Sequence, residues 1–429
     1  MAVLGIDAGL ALAALLLVTE TFFTALAALN VRHAARTLDR EREWVVDELD
    51  ADPERLLAYL RAKTALGRAR GLAVVGAVLA AVLSGALAEA VATLDGLGLS
   101  PLAEGVVFFL GVVAAGVLFA LPFDAVSTFL VEERFGFNNR SPALFLRDEL
   151  LGLAVSLAVT GVLATVVLVI VGLPAWPVLA TAAFVAFALV MQVVYPRAIA
   201  PLFNEFDPVE GDDRTAVEAV FERAGFETDG IYEMDASRRS SKLNAYFVGF
   251  GRSKRVVLFD TLLEEADSGE MQSVLAHELA HWKRNHVWKR LGAGALRMGV
   301  LFGALAWLLG TDLASVGGVA DAGYARLAVG ALWLWPVSRL TAPLDNRLSL
   351  AHEREADDYA ARVMGSGEPM ASALARLGTE NLANPFPHPL YAAFHYDHPP
   401  IPERIRRLRE RTPPGADAGD DDPSGVAGT

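Results

Sequence analysis

The sequence predicts a mainly α-helical, polytopic membrane protein with about seven transmembrane helices and a cytoplasmic domain that contains a small β-sheet. Three observations support this fold class. Hydrophobic residues make up 53% of the 429 residues, against roughly 45–50% in a typical soluble domain. The mean hydropathy is +0.37. The apolar residues are also concentrated in long stretches that alternate with charged segments.

A bilayer core requires about 20 consecutive, mostly apolar residues per helix. Seven stretches of the chain meet this requirement: 8–30, 72–95, 105–131, 151–173, 177–195, 291–311 and 323–344. The first stretch lacks a basic leading region and a small-residue cleavage site, so we expect a retained span rather than a signal peptide. Glu20 lies near its middle, where a charge usually faces a bundle interior. Arg297 and Arg339 lie near span ends, and we expect their side chains to reach towards the headgroups.

The basic residues predict the orientation in the membrane. Lysine and arginine are absent from four connecting segments: 1–7, 96–104, 173–177 and 312–322. They are frequent in the other segments: 32–71, 132–150, 196–290 and the C-terminal part. Because cytoplasmic loops carry the excess of lysine and arginine, we predict a multi-pass protein of the cell membrane. Its N-terminus lies outside, and its large loops and C-terminus lie in the cytoplasm.

Charge and cysteine content exclude several classes of function. The net charge of −14 argues against nucleic acid as a partner. The chain has no cysteine, which excludes a disulfide framework, a cysteine nucleophile, an iron–sulfur cluster and a zinc finger. Any metal must therefore be held by histidine, aspartate or glutamate. The acidic, lysine-poor composition suits a prokaryotic, haloarchaeal-like host with a salty cytoplasm.

Two local patterns complete the layout of the water-exposed parts. Residues Asn244–Gly249 and Lys254–Phe259 have the composition of β-strands, and the segment Gly251–Lys254 between them predicts a hairpin. Residues 412–429 are polar, acidic and rich in proline and glycine, which predicts a disordered tail.

The segment His277-Glu278-Leu279-Ala280-His281 carries the clearest chemistry. On a helix, residues four apart lie on one face, so both imidazoles can bind one metal ion. Glu278 lies between them in sequence and can approach a metal-bound water as a general base. Two surface histidines on an ordinary helix are the simpler interpretation, but the chain has only eight histidines, so the motif favours a metal site.

A zinc hydrolase needs a third protein ligand and an open position for water. Glu353 and Asp357 are four residues apart in a second helical segment, so one can bind the metal while the other orients a ligating imidazole. The spacing does not separate Glu353 from Glu355 and does not exclude His352 as the ligand. A solvated charged helix is the simpler interpretation of this segment taken alone.

A third polar cluster is Phe394-His-Tyr-Asp-His398-Pro-Pro, followed by Arg404. A histidine or arginine near the metal could stabilise the oxyanion of a tetrahedral intermediate. From spacing alone, a polar turn fixed by two prolines is the better interpretation.

In combination, these motifs resemble peptidase family M48, and within it the multi-span CaaX prenyl protease 1 group. The resemblance runs from about residue 105 to 410. The segments that carry the resemblance occur along the chain in the same order as in the family. They are Leu121-Pro-Phe123, Phe135-Gly-Phe-Asn138, Pro201-Leu-Phe-Asn204, Asn244-Ala-Tyr-Phe247, Val257-Leu-Phe-Asp-Thr-Leu262, His277-Glu-Leu-Ala-His281-Trp-Lys-Arg-Asn-His286, Glu353-x-x-x-Asp357 and His398-Pro-Pro-x-x-Glu-Arg404.

The resemblance implies a role for each site residue. Glu353 is the third zinc ligand beside His277 and His281, with one zinc ion per chain. Asp357 supports a ligand histidine, and His398 lies near the substrate carbonyl with Arg404 nearby. These three residues complete the expected catalytic set with Glu278. The strand at Asn244 and Ala245 pairs with the substrate backbone.

The resemblance also implies a ring of seven long helices around a water-filled chamber, capped by a zincin-like metalloprotease domain. We therefore expect five consecutive parts of the chain. They are 1–195 with spans 1–5 and cytoplasmic loops, 196–290 as the cytoplasmic metalloprotease domain with the HExxH helix, 291–345 with spans 6–7, 346–411 as the C-terminal part of the protease domain with the third ligand and the His-Pro segment, and 412–429 as the disordered acidic tail. Two departures from the family are Leu350, where the family usually has arginine after serine, and Glu355, where it often has glutamine.

The expected function is that of a membrane-embedded zinc metalloendopeptidase acting through a zinc-activated water. Its expected partners are the lipid bilayer and polypeptides that are membrane-associated, misfolded or lipid-modified, without nucleic acid, and the chain is expected to be a monomer. The alternative is a non-catalytic transporter or scaffold with a degenerate protease site. The intact metal motif argues against it.

Overall fold

The structure is a computed structural model, and it describes residues 7–226, 230–249 and 255–410. The predicted hairpin turn and the predicted acidic tail lie outside the described residues. The described helices are α1 (Ala8–Arg40), α2 (Arg42–Leu49), α3 (Pro53–Leu83), α4 (Ala86–Asp95), α5 (Pro101–Val126), α6 (Pro142–Val171), α7 (Trp176–Val194), α8 (Ala200–Phe203), α9 (Gly211–Arg223), α10 (Asp260–Glu265), α11 (Ser268–Lys283), α12 (His286–Leu309), α13 (Gly323–Leu340), α14 (Ala342–Met364), α15 (Glu368–Glu380), α16 (Pro389–His395) and α17 (Ile401–Glu410). The strands are β1 (Phe206–Pro208), β2 (Ile231–Met234), β3 (Ala245–Val248) and β4 (Arg255–Phe259).

Among the described residues, six helical segments are long and apolar enough to cross a membrane. They are α1, α3, α5 with its π-helical continuation to Glu132, α6, α7 with its continuation through α8, and α12. The seventh predicted stretch forms α13, which is 18 residues long and carries two arginines. The mainly α, polytopic fold class is confirmed, and the predicted seven spans agree approximately with the six segments and α13.

The contacts between these helices close a ring. Neighbouring helices touch in the order α1, α3, α5, α6, α7, α12, α13 and back to α1. In α5, α6 and α7, only 6% of the most apolar window is buried. A helix in a solid bundle buries one face, so these three helices bury little of their surface against the rest of the protein.

An ion triplet joins three helices of the ring. The Glu20 carboxylate of α1 is buried and lies 3.0 Å from a guanidinium nitrogen of Arg68 on α3 and 2.8 Å from one of Arg339 on α13. The Arg339 guanidinium also lies 3.8 Å from the centre of the Phe23 ring. Arg339 therefore does not reach towards the headgroups as expected, because the buried carboxylate of Glu20 binds it. Arg297 likewise pairs with Asp345.

The water-exposed part contains a four-stranded sheet with the strand order β1-β2-β4-β3. Strands β3 and β4 are antiparallel, with Ala245 opposite Leu258 and Val248 opposite Arg255. Both predicted hairpin strands are therefore confirmed. Strand β3 is at the edge of the sheet, and among the described residues no strand pairs with its outer side. Strands β1 and β2 were not predicted because three and four residues are too few to show alternation.

The two helices that carry the metal-site motifs are joined directly to membrane helices. Helix α11 starts at a capping box between Asp267 and Glu270, and only two residues separate its end from α12. Asn285 allows this abrupt turn by adopting a left-handed conformation with φ 58°. Helix α14 follows α13 after the single residue Thr341. This connectivity holds α11 and α14 at the ends of the membrane helices; the domain limits predicted from the sequence stay predictions.

Candidate active site

Helices α11 and α14 bring three metal-binding side chains together. The Nε2 atoms of His277 and His281 lie 3.2 and 3.4 Å from the two carboxylate oxygens of Glu353. One ligand atom from each residue lies within 4.8 Å of the other two. His277 and Glu353 are buried. Two imidazoles and a carboxylate at this spacing can hold one divalent ion.

The hydrogen bonding of Glu353 supports this interpretation. Its Oε2 atom is buried and, among the described residues, accepts no hydrogen bond of good geometry. A buried carboxylate oxygen without a partner is costly. A metal ion bound between Glu353 and the two histidines would satisfy it, so these residues fit the metal that the sequence motif predicts.

The remaining ring nitrogen of His277 is anchored by a buried ion pair. Its Nδ1 atom lies 2.9 Å from Oδ1 of Asp357. The Asp357 carboxylate accepts two hydrogen bonds from Arg404, with lengths of 2.6 and 2.9 Å. Asp357 and Arg404 therefore lie behind a candidate ligand, in a position from which they can orient it.

The other candidates for the third ligand lie elsewhere. Glu355 Oε2 lies 3.0 Å from Nε2 of His286, and His286 Nδ1 lies 3.0 Å from Nδ1 of His281. The His352 ring stacks on the His286 ring with 4.0 Å between the ring centres. The fold thus separates Glu353 from both alternatives. The sequence analysis found no role for His286, although its position five residues after His281 was a visible signal.

Burial and neighbouring charges shift the pKa values of the site. Burial opposes protonation of His277, but its contacts with the carboxylates of Asp357 and Glu353 raise the pKa of His277 to about 9. Burial, together with the neighbouring His277, lowers the pKa of His281 to about 3. Burial also raises the pKa of the Glu278 carboxyl above its usual range. A metal requires neutral imidazoles, so a proton on Nε2 of His277 and a bound metal would exclude each other.

For the acidic groups, burial favours the neutral form but is outweighed by nearby cations. The contact with His277 lowers the pKa of Glu353 to about 2. The Arg404 guanidinium lowers the pKa of Asp357 below its usual range. Both carboxylates are therefore negatively charged at any pH at which the protein is expected to work, as a metal ligand and its anchor require.

The His-Pro segment lies at the same site. His398 Nε2 lies 3.3 Å from Oε2 of Glu353, and its Nδ1 lies 2.9 Å from Oδ1 of Asp397. The His398 side chain is about half exposed. Asp397 thus orients an accessible imidazole whose second nitrogen faces the candidate metal ligands. The sequence analysis included Asp397 in this cluster but assigned it no role.

The strand residues and a cavity lie beside these groups. Asn244 is exposed, and its side-chain oxygen accepts a hydrogen bond of 2.9 Å from the backbone N–H of Ala245 on edge strand β3. A cavity of about 1070 Å³ opens next to His281. Residues of α7, the end of α9, Gly249 and the α11–α12 junction line it, and they include Leu189, Phe226, Trp282 and Trp288.

Two family models and several known proteins match this chain. The family model described as the CAAX prenyl protease N-terminal region with five membrane helices matches residues 45–205. The model of peptidase family M48 matches residues 210–412. A CAAX prenyl protease 1 homolog from Arabidopsis thaliana is 36% identical over 326 residues, which cover 74% of this chain and 77% of that protein. CAAX prenyl protease 1 from Saccharomyces cerevisiae is 32% identical over 324 residues, covering 70% and 71%.

The fold also resembles a solved structure. The crystal structure of Ste24p from S. mikatae superposes with a TM-score of 0.85 at 26% sequence identity. The match covers 94% of this chain and 99% of that chain. The similarity therefore includes both the membrane ring and the water-exposed part.

Proposed function

The chain belongs to peptidase family M48, in the group of the CAAX prenyl protease 1 homologues, and from this premise we propose how its residues cut a peptide bond. The chain is a membrane metallopeptidase. We propose that its metal is one zinc ion bound by His277, His281 and Glu353, the donor set that leaves a position open for water. When bound, zinc supplies Lewis acidity, which polarises the substrate carbonyl and makes water a stronger acid.

Glu278 acts as the general base. It accepts a proton from the attacking water and then donates that proton to the nitrogen of the leaving amine. The pKa of Glu278, raised by burial, supports this role. A carboxylate whose pKa is closer to the working pH both accepts and returns a proton more readily.

His398 donates a hydrogen bond from Nε2 to the carbonyl oxygen as negative charge develops on it. The 3.3 Å distance between Nε2 and Glu353 supports this position, because it places the donor beside the metal ligands. His398 then carries a proton on each ring nitrogen, and Asp397 accepts the hydrogen bond from Nδ1–H, which keeps the ring in the required orientation. Asp357 and Arg404 orient His277 without contacting the substrate.

The substrate binds as an extended segment along β3. The outer side of β3, which includes Ala245 next to Asn244, offers backbone groups to which a further strand can pair. Backbone pairing selects an extended conformation more than a particular sequence. The tryptophan, phenylalanine and leucine side chains that line the cavity beside His281 can receive an apolar part of the substrate, while Glu222, Lys283 and Arg290 give the same cavity a charged part.

The substrates are membrane-associated polypeptides, which are misfolded or lipid-modified. The single observation that carries this proposal is the two-residue connection between the ligand helix α11 and the membrane helix α12. Trp288 and Trp307 are exposed near the two ends of α12, about 28 Å apart at 1.5 Å per residue. This separation is close to the thickness of a bilayer core, about 30 Å. His281 therefore lies within a few residues of the membrane surface.

The proposed orientation places the active site on the cytoplasmic side and the N-terminus outside. The support is the distribution of lysine and arginine among the connecting segments. The expectations of a monomer, of the cell membrane as the location and of a prokaryotic host stay predictions.

The test uses the purified full chain in lipid vesicles. The zinc content is measured for the parent, for Glu278→Gln and for Glu265→Gln, which changes an exposed carboxylate outside α11. Each protein is then incubated with a farnesylated CaaX peptide, the same peptide without the lipid, and an unfolded soluble protein. We expect about one zinc per chain in all three proteins, and cleavage by the parent and Glu265→Gln only.

The substrates separate the possibilities within the proposal. Faster cleavage of the farnesylated peptide than of its unmodified form would support lipid-modified substrates, whereas equal cleavage of all three would support misfolded ones. Full activity of Glu278→Gln would overturn the proposed mechanism. A parent protein that binds no metal and cuts none of the substrates would instead support a transporter or scaffold.

A further inference from the structure

His286 is a buried histidine that the proposed mechanism does not use. It is the first residue of α12, and it is 1% exposed. Its ring lies between the proposed ligand His281 and Glu355, with a distance of 3.0 Å at each of its two nitrogens. A parallel stack on the ring of His352 holds the plane of the imidazole. A buried ring with both nitrogens engaged has one orientation only.

The donors and acceptors in this chain of contacts are determined from its two ends. The Nε2 atom of His281 faces Glu353, so it is the nitrogen that a metal would take, and the proton of His281 must be on Nδ1. That proton is donated to Nδ1 of His286, which leaves the proton of His286 on Nε2. The second proton is donated to the Glu355 carboxylate, which can only accept. One placement of the two protons therefore gives a hydrogen-bond partner to all four atoms, which are Nδ1 of His281, Nδ1 and Nε2 of His286, and Oε2 of Glu355.

The two candidate histidine ligands are thus anchored in parallel ways. His277 contacts the Asp357 carboxylate directly at 2.9 Å. His281 contacts the Glu355 carboxylate through the ring of His286. Helix α14 supplies both carboxylates as well as the proposed ligand Glu353. Each ligating imidazole therefore has its tautomer determined by an acidic residue of the same helix.

We propose that His286 and Glu355 are positioning residues for the second metal ligand, holding His281 in the tautomer and orientation that present Nε2 to the metal. The inference rests on the proposed metal site. Residues of this kind typically change metal affinity by about 10–100-fold when they are replaced. Glu355 is 51% exposed, so its effect is at the lower end of that range, while the buried His286 has the larger effect.

The variants separate the two hydrogen bonds. His286→Phe keeps a ring of similar size and removes both bonds. His286→Asn keeps an acceptor close to the position of Nδ1 and loses only the bond to Glu355. Glu355→Leu removes the terminal acceptor, whereas Glu355→Gln keeps an acceptor oxygen without the charge and restores the residue frequent in the family. Asp358→Asn is the matched control, since it breaks an ion pair of the same helix, with Arg407.

The primary measurement is the zinc dissociation constant of each full-length protein in detergent, by competition with a chromophoric chelator. The visible spectrum of the cobalt-substituted protein and the thermal unfolding of the metal-free protein are recorded alongside. We expect about 10–100-fold weaker binding for His286→Phe and about 10-fold for Glu355→Leu. The losses are smaller for His286→Asn and Glu355→Gln, and Asp358→Asn has no effect on zinc affinity. The cobalt spectrum should change for His286→Phe, while the metal-free melting temperatures stay close to that of the parent.

A double variant tests whether the two residues act in series. In the His286→Asn background, Glu355→Leu should cause no further loss of zinc affinity, because the connection is already broken. Unchanged zinc affinity in both His286→Phe and Glu355→Leu would overturn the inference, and so would an equal loss in Asp358→Asn. These outcomes differ from a failure of the proposed function, in which the parent itself binds no metal. If His286→Phe does not fold, the partly exposed Glu355 variants decide the question.

Discussion

The Oδ1 atom of Asp357 lies 2.9 Å from Nδ1 of His277, and the same carboxylate accepts two hydrogen bonds from Arg404. Asp357 is 1% exposed and Arg404 is 7% exposed. The ion pair is therefore shielded from water and directly behind a proposed metal ligand. Its loss should reduce both the stability of the fold and the affinity for metal.

Replacing the arginine tests the contribution to stability. We expect Arg404→Met to lower the free energy of unfolding by about 3–5 kcal/mol, because the buried Asp357 carboxylate loses its main partner. The exposed pair between Arg354 and Glu403 joins the same two helices, α14 and α17. As the control, Arg354→Met should cost less than about 1 kcal/mol. Thermal unfolding in detergent measures both variants, and equal losses would contradict the prediction.

Replacing His398 tests its role in the reaction. We expect His398→Ala to lower kcat by about 10²–10³-fold, the usual effect of removing one oxyanion donor. The zinc content should remain that of the parent, since His398 is outside the group His277, His281 and Glu353. The checks are steady-state kinetics and metal analysis of the same preparation. Loss of zinc together with activity would make His398 a fourth ligand instead.

The neighbouring Asp397 gives a pH-dependent prediction. Its hydrogen bond with His398 lowers the pKa of the Asp397 carboxyl below the ordinary 3.8. For a lowered pKa, the stabilising interaction is complete above the ordinary value and is lost only as the pH falls through the lowered one. Asp397→Asn should therefore reduce kcat by about tenfold. The ratio of variant to parent should stay constant between about pH 4.5 and 6, where the carboxylate is charged. Kinetics across this range are the measurement, and a ratio that approaches one within it would refute the explanation.

The ion triplet in the membrane ring depends on a glycine. A Cβ atom at Gly71 would lie 2.6 Å from the Glu20 carboxylate, whereas one at Gly76 on the same helix would meet nothing within 4 Å. We expect Gly71→Ala to reduce stability by about 2–3 kcal/mol, because it displaces the carboxylate from Arg68 and Arg339. Gly76→Ala should be neutral or stabilise the helix by up to about 1 kcal/mol. The measurement is the free energy of unfolding of both variants in detergent. Similar values for both would disprove the requirement for glycine at position 71.

Much of the architecture follows from local patterns. Seven apolar stretches were recognisable because the bilayer demands length and apolarity in one continuous segment. The strands around Ala245 and Val257 were recognisable by their composition. The same local patterns gave a wrong prediction for Arg339. The side chain of an arginine near a span end extends towards water unless a carboxylate from another helix lies closer. Glu20 is 319 positions away along the chain, and sequence spacing contains no information about that contact.

The candidate site, too, could be predicted only in part from the sequence. The spacing of His277 and His281 determined by itself that both could face one metal, since four residues make about one helical turn. The spacing did not separate Glu353 from Glu355, and Glu353 was implied only by the family resemblance. The tertiary structure alone shows that Glu353 lies beside the two histidines while Glu355 contacts His286. Glu353 and Glu355 are two residues apart on one helix, so their side chains point in directions that differ by about 200°. Which direction faces α11 depends on the packing of α14 against it, and that packing results from contacts distributed over the whole fold.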